Sequence, residues 1–352
     1  MSSPTDKPCI LITAVGAPPG LNALTALVES AKYRIVVCDA EVTSPGLYQY
    51  GLAHKVVPLA TEEPEAYMHS LRGLIQEHGI RFVLPCIEGE VELLARRRGD
   101  IGSAGAKVLL PDHPTVAAAL DKHSATLSAL KCGLDCPLTV FISKSGELSG
   151  RLAELERFAL QCPPPWIVKP VHGHGMKNVE TLLSLEHAIR YLGTVDHDVL
   201  LQEKIPGVVG SMHLVGLIYD ADGRVRRRFS SRSIRTLYPG GGPATGGVSL
   251  KNEPLVENTE TLINSLGVWR GPANVEWMLD PRDNRFKFIE INPRLWGYGY
   301  LATGSGTNFP VASVNLGLGL EVGPDPGFRA GVTMLRTTTD LIFEECPFEL
   351  RH

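Results

Sequence analysis

The sequence has no long apolar run. No window approaches the roughly 18 apolar residues that a membrane-spanning helix requires, and the opening MSSPTDKP has no apolar stretch of the secretory kind. Neither sign of charge dominates: 34 Lys and Arg stand against 38 Asp and Glu, a formal net charge of −4. Non-specific nucleic-acid binding needs a basic face, and this balance argues against one. The densest basic stretch runs from Arg224 to Arg235 with six arginines and suits a solvated strand pair. The seven cysteines include no C-x-x-C, and Cys132 and Cys136 lack a partner pair at zinc-ligand spacing. Free buried thiols in a reducing cytoplasm are expected. No G-x-x-x-x-G-K-[ST] and no G-x-S-x-G occurs, which removes a Walker A phosphate loop and a hydrolase nucleophile elbow. No internal repeat or low-complexity segment is present.

What is there is an ordinary globular composition, 43% hydrophobic and 20% charged over 352 residues, enough chain for two or three packed units. The first third alternates strand-like and helix-like segments. Residues 9–15 and 33–40 read as strands, with a helix over 21–30 between them. A helix over 63–78 leads to a strand at 81–86, then a helix over 90–98 and a further strand, KVLLP. Alternation of this kind implies parallel βαβ units in a doubly wound sheet, with ligand sites beyond the carboxyl ends of the strands. The loop from Gly16 to Gly20 and Glu88 both fall there. That loop holds two prolines, which lack the backbone donors a pyrophosphate needs, so a dinucleotide site is not expected.

From about Thr115 the texture changes. One helix is expected over 115–131, then a strand LTVFIS, a helix over 151–161 and an apolar strand WIVKP. A helix near 184–192 leads into VLLQEKIPG. Two antiparallel strands turn at Asp220–Gly223, a Gly-rich loop occupies 239–247, and a helix covers 253–266. NVEWMLDPRDNRFKFIEINPR reads as a hairpin turned near 280–285, and a last helix spans 308–318.

The hairpin carries the sharpest chemical signal. Glu290 and Asn292 are two apart on one strand and share a face, while Glu276 lies within reach on the other. Two carboxylates and an amide converging among Val275, Trp277, Phe288, Ile289 and Ile291 repel one another unless a cation joins them. Hard oxygen ligands suit Mg²⁺, which carboxylates hold together with substrate phosphates. Lys169 is a lone charge in an apolar strand and needs an anionic partner. Lys122, on the helix that opens this region, supplies a second point charge for a polyphosphate. Gly173, His174 and Gly175 follow Lys169, and glycines let backbone close over phosphates. The stretch Gln202, Glu203, Lys204, Ile205 ends at a Pro-Gly break and suits a hinge against which an adenine can lie.

Taken in order, Lys122, Lys169-Pro170 with its Gly-rich loop, Gln202 to Gly207, Glu276, and Glu290-Ile-Asn292-Pro-Arg294 resemble the ATP-grasp superfamily over about 115–320. The resemblance implies an α/β protein: an N-terminal doubly wound parallel sheet (the pre-ATP-grasp domain, 1–114), then a two-lobed α+β ATP-grasp domain, with a small lobe at 115–205 and a large lobe at 206–352. It implies ATP with Mg²⁺ (or Mn²⁺) as cofactors. Lys122 and Lys169 would hold the α- and β-phosphates, and the loop at Gly173, His174 and Gly175 would close over them. Gln202, Glu203, Lys204 and Ile205 would seat the adenine. Glu276, Glu290 and Asn292 would bind the metal, and Arg294 would steady the γ-phosphate or an acyl phosphate. Relatives often carry an acidic ribose ligand after the Pro-Gly; Val208 and Val209 stand there, so Glu203 or another residue must serve.

The expected activity is ATP-dependent carboxylate–amine ligation of the amino-acid or peptide type, with purine-pathway-like and carboxylase-type reactions and a non-catalytic ATP sensor as the other readings. Arg232 and Arg235 could clamp a substrate carboxylate bidentately, Glu88 could hold the amine, and Gly304 could shape the acceptor pocket. The partners expected are a small-molecule carboxylate and amine, with no nucleic acid, no membrane and a homodimer open, in the cytoplasm.

Overall fold

The computed structural model describes residues 7–173, 178–207, 210–238 and 241–348. The chain begins with β1 (Cys9–Ile12), α1 (Pro18–Ser30), β2 (Arg34–Asp39), β3 (Ala53–Val56), α2 (Pro64–His78) and β4 (Ile80–Leu84). These strands form a parallel sheet in the order β3-β2-β1-β4. All four residues of β1 are buried, as expected of a central parallel strand covered on both faces. Helix α1 starts on Pro18 and Pro19, where no backbone donor is needed, and α2 stops at Gly79 in the left-handed region. Next come α3 (Glu88–Arg96), α4 (Arg98–Ser103), α5 (His113–Leu120) and α6 (Lys122–Lys131).

Two sequence expectations fail here. KVLLP is not a strand: only Lys107 pairs, as a single bridge to Phe82, and Pro111 ends any further donation to the sheet. The expected helix over 115–131 is two helices. Asp121 between them is extended (φ −76°, ψ 105°), and its carboxylate accepts Ser124 N–H, so the same residue ends α5 and caps α6.

A second sheet, antiparallel with order β5-β8-β6-β7, contains β5 (Thr139–Ile142), β6 (Trp166–Pro170), β7 (Glu180–Leu182) and β8 (Val199–Glu203). Helices α7 (Leu148–Gln161) and α8 (Leu185–Thr194) share one apolar core with Trp166, Val168 and Leu201 from its strands. The third sheet is antiparallel, with order β13-β12-β9-β10-β11-β14. It is built from β9 (Met212–Tyr219), β10 (Val225–Tyr238), β11 (Gly241–Ser249), β12 (Gly271–Asp280), β13 (Arg285–Asn292) and β14 (Thr333–Leu335). Helices α9 (Glu253–Ser265), α10 (Tyr300–Ser305) and α11 (Phe309–Leu318) complete the chain. The Gly-rich segment expected to be a loop is β11 from Gly241 onward. Bare glycine lets Tyr298 and Leu301 lie directly on it at Gly247, and that packing recruits the segment into the sheet.

The first sheet and the third share a core. Ile10, Leu24 and Phe82 from the N-terminal unit pack in one cluster with Leu214, Phe229, Trp296 and Phe309. Trp296 rests on the backbone of Gly216, where a Cβ would lie 2.4 Å from its ring. All seven cysteines are free; Cys9, Cys38, Cys86 and Cys162 are buried, whereas Cys132 and Cys136 are half-buried and Cys346 is exposed. Among the described residues no helix is long and apolar enough to cross a membrane.

One buried acid under the first sheet makes stability depend on pH. Glu90, 4% exposed, accepts from Thr13 Oγ1 and from Cys86 N–H at 3.4 Å. Burial pushes its carboxyl up to about 7, against the stabilising bonds from Thr13, Tyr67 and Cys86. The unfolded value is about 4.3, so the folded state binds the proton more tightly. The stabilisation is full below about pH 4 and is lost as pH rises through 7, amounting to about 4 kcal/mol. Denaturant midpoints measured from pH 4.5 to 8 should fall in the wild type and flatten in Glu90→Gln; parallel curves would refute the assignment.

Candidate active site

The β12–β13 hairpin brings the expected acids together. Glu276 pairs directly with Glu290, and Asn274 with Asn292, so all four share one face of the sheet. Between Glu276 and Trp277 the register shifts: Trp277 pairs with Phe288, which leaves Ile289 as an extra residue on β13. Lys169 Nζ donates to the carbonyl of that residue at 3.5 Å. Lys169 itself is 6% exposed. Burial lowers its ammonium to about 8, while Glu290 and Glu276 draw it upward and Lys122 adds to the lowering. Burial and the facing Glu290 raise Glu276 well above the ordinary carboxylate range, although Arg294 and Lys169 draw it down. Asn292 Nδ2 donates to Glu290 Oε1 at 3.2 Å.

Arg294 lies one turn beyond. Its Nε donates to Glu88 Oε1 at 2.9 Å, Nη2 donates to the same oxygen, and Nη2 also reaches Asn292 Oδ1 at 3.2 Å. Glu88, 8% exposed, opens α3, so the N-terminal sheet contributes directly to this cluster. Its carboxylate, expected to hold a substrate amine, is joined to Arg294. Lys122 Nζ donates to the Gly173 carbonyl at 2.5 Å, bringing the second lysine to the mouth of the loop after β6. His174 and Gly175 lie outside the described residues, as do Val208 and Val209.

In the second sheet, Gln202 pairs with Ile167 and with Thr139, on the face that Lys169 occupies. Its Nε2 donates to Thr139 Oγ1 at 2.9 Å. Glu203 pairs with Trp166 and so faces the helices. Its carboxylate meets Arg282 Nη1 at 2.5 Å and Leu138 N–H at 3.2 Å. Lys204 reaches Thr181 Oγ1 at 3.4 Å, and Ile205 is buried. The segment 203–207 borders a hollow of about 570 Å³ that Pro164 and Arg282 also line.

Other expected residues do not join the cluster. Ser231 and Leu214 lie in the Glu276 row, whereas Arg232 pairs with His213, which pairs with Trp277. Arg232 therefore projects from the opposite face. Arg235 is exposed and pairs with Gly246 beyond a bulge at Ile234. Gly304 is exposed in α10, and its carbonyl accepts from Arg329 at 2.8 Å. Arg336, which the sequence reading passed over, is half-buried; it donates from Nη2 to the Gly297 carbonyl and from its backbone to Thr245 O at 2.7 Å. A lone arginine ending the short β-rich TML run was its only signal.

Chemically, the cluster is two facing carboxylates and an amide, flanked by two lysines and an arginine. Among the described residues no group of three or more His, Cys, Asp and Glu could hold a metal alone. A set of two carboxylates suits a hard cation whose remaining ligands come from phosphate oxygens and water. The elevation of Glu276, by burial and by the acid that faces it, is the electrostatic mark of such a set.

No family model matches the chain. The carbamoyl phosphate synthase large chain of Thermotoga petrophila is 24% identical over 339 residues, which is 90% of this chain and 29% of that protein. The chain thus spans less than a third of the length of that relative. Among solved structures, the biotin carboxylase domain of the Hydrogenobacter thermophilus 2-oxoglutarate carboxylase, in complex with MgADP and bicarbonate, matches with a TM-score of 0.71 at 14% identity, covering 92% of this chain and 73% of that one. The L-amino acid ligase of Bacillus licheniformis matches with a TM-score of 0.64 at 20% identity, covering 89% and 74%. Its parallel sheet and two antiparallel sheets, with these distant likenesses, give the chain the fold of these structures, in keeping with its resemblance to the ATP-grasp superfamily.

Proposed function

We propose that the protein is an ATP-dependent carboxylate–amine ligase, of the amino-acid or peptide type, that works through an acyl phosphate and releases ADP and phosphate. The observation that carries this reading is the Glu276–Glu290 pair, set face to face beside a bulge whose carbonyl receives Lys169. An uncompensated acid pair in an apolar hairpin is costly. It becomes useful once a cation and a polyphosphate complete it. In this reading the sheet of β5–β8 with its helices is the small lobe (115–205), the sheet of β9–β14 is the large lobe (206–352), and residues 1–114 form the domain in front of them.

Glu276, Glu290 and Asn292 would hold Mg²⁺, which when bound supplies charge neutralisation on the phosphate oxygens. Lys169 and Lys122 draw the α- and β-phosphates to the mouth of the loop after β6. Gln202 and the backbone of 203–205 seat the base. A substrate carboxylate oxygen attacks the γ-phosphorus, the bond to the β–γ bridging oxygen breaks, and ADP departs. Arg294, held in place by Glu88 and Asn292, faces the charge that develops on the acyl phosphate. An amine then attacks the acyl carbon, phosphate leaves, and the amine proton passes to phosphate or water. The free thiols suit a cytoplasmic setting.

An assay of ADP and phosphate release with amino acids and dipeptides, singly and in pairs, tests the reading. Release that requires both a carboxylate and an amine supports it, and AMP as product would sink the acyl-phosphate route. A second reading, bicarbonate as the activated carboxylate, is favoured by the likeness to the biotin carboxylase domain solved with bicarbonate. ADP release that depends on bicarbonate in CO₂-depleted buffer, without an amino-acid carboxylate, selects it. Lys169→Met should weaken ADP binding about tenfold or more, measured by calorimetry, because a buried ammonium aimed at phosphate is lost; unchanged affinity would remove Lys169 from the nucleotide site.

A further inference from the structure

Asn274 stands within the acid cluster, and the ligase reading leaves it without a task. It pairs with Asn292 across the hairpin. Two residues along β12 from Glu276, it projects to the same side of the sheet. It is 1% exposed, and among the described residues its Oδ1 has no hydrogen-bond partner. Asn292 differs. Its Nδ2 donates to Glu290, and its Oδ1 accepts from Arg294. Two amides thus sit at paired positions, one engaged at both ends and the other with its acceptor free.

No described neighbour supplies the missing donor. On its other side the row continues to Gly216 on β9, over which the Trp296 ring lies. The indole N–H has no partner either, so it does not bond the amide. Once a cation is held, Glu276 and Glu290 are ionised and offer acceptors alone. A buried carbonyl left unmatched lowers stability, and buried polar groups are rarely left so without a reason. The donor that fits is water on a cation. Mg²⁺ takes one or two carboxylates with phosphate oxygens and keeps several waters, whose hydrogens point outward.

We propose that Asn274 is a positioning residue of the cation site, its Oδ1 accepting a hydrogen bond from a water that the cation holds. This rests on the metal site of the ligase reading and adds a residue to it. Glu276 and Glu290 supply charge, and a neutral amide beside them supplies direction. It fixes one corner of the water shell, and so the place of the cation between the two acids, without adding a third negative charge to a pair that already repels.

The test measures Mn²⁺ binding to the intact protein with saturating ADP, by electron paramagnetic resonance, and ADP binding in EDTA, by calorimetry. Asn274→Leu, close in shape but without the amide, should weaken Mn²⁺ about tenfold or more. It should leave metal-free ADP affinity unchanged. The denaturant midpoint should stay equal or rise, because a buried unmatched carbonyl is gone. Unchanged Mn²⁺ affinity in the folded variant overturns the proposal. So does an equal loss of metal-free ADP affinity, which places the amide at the nucleotide, or a loss that tracks a fallen midpoint. Should Asn274→Leu fail to fold, Asn274→Ala, which needs less room, decides on the same readings. Mn²⁺ binding lost in Glu290→Gln but kept in Asn274→Leu sinks this proposal alone. Wild-type protein that binds Mn²⁺ no better with ADP than without it sinks the metal site of the ligase reading and this proposal together.

Discussion

On the proposed ligase reading, with Glu290 as a metal ligand, replacing Glu290 with glutamine should lower turnover about 10²–10³-fold while leaving the fold and its denaturant midpoint intact or improved. The amide keeps the shape of the side chain and can still accept from Asn292. It removes one of two negative charges that face each other at paired positions. The folded protein tolerates this well, because the repulsion that raises Glu276 is relieved. The phosphate-bound state does not, because a cation loses a charged ligand as γ-phosphoryl transfer redistributes charge. Activity and stability should therefore move in opposite or unrelated directions, which a merely structural role for Glu290 would not produce. Turnover within a few-fold of wild type would refute the assignment, and so would a loss of activity that tracks a loss of folded protein.

Trp296→Ala should destabilise the protein by about 3–5 kcal/mol, measured by denaturant unfolding. Its ring is 1% exposed, stacks on Phe229 at 5.9 Å and meets Phe309 edge-on at 5.0 Å. It also covers Gly216 on β9, within the cluster common to the first and third sheets. The cavity left by alanine would open at the junction of two sheets, where collapse on one side pulls on the other. Trp296→Phe should cost much less, since the indole N–H makes no hydrogen bond. A loss below about 1 kcal/mol for alanine would show that the junction is not packed as described.

Much of this architecture was legible because it rests on short-range rules. Alternating strands and helices announced the parallel sheet, and the period of two along Glu290 and Asn292 placed both on one face. The expected helices start within a few residues of the observed ones. The failures have a common cause in pairing partners distant along the chain. Nothing near Arg232 reveals that its row continues through His213 to Trp277, away from Glu276. Nothing in FIEIN reveals that Ile289 is the unpaired residue, because a bulge is a property of two strands together. KVLLP has the composition of a strand but only one bridged residue, whereas the glycines of β11 lack strand composition and are paired nonetheless. Glu88 was singled out for its position, but its bond to Arg294 spans 206 residues, a separation no local pattern encodes.

Two contacts join the β12–β13 hairpin to the β5–β8 sheet among the polar contacts of the described residues: near its tip Arg282 meets Glu203, and at its bulge the Ile289 carbonyl receives Lys169. Two fixed points define an axis. A sheet pinned at both can rotate about the line that joins them but cannot translate along the hairpin without breaking one contact. One pin is an ion pair 49% exposed on its arginine side, open to screening by salt; the other is buried and is not. Raising ionic strength should therefore loosen the tip before the bulge, leaving the sheet free to swing about the Lys169 contact while that contact still blocks sliding.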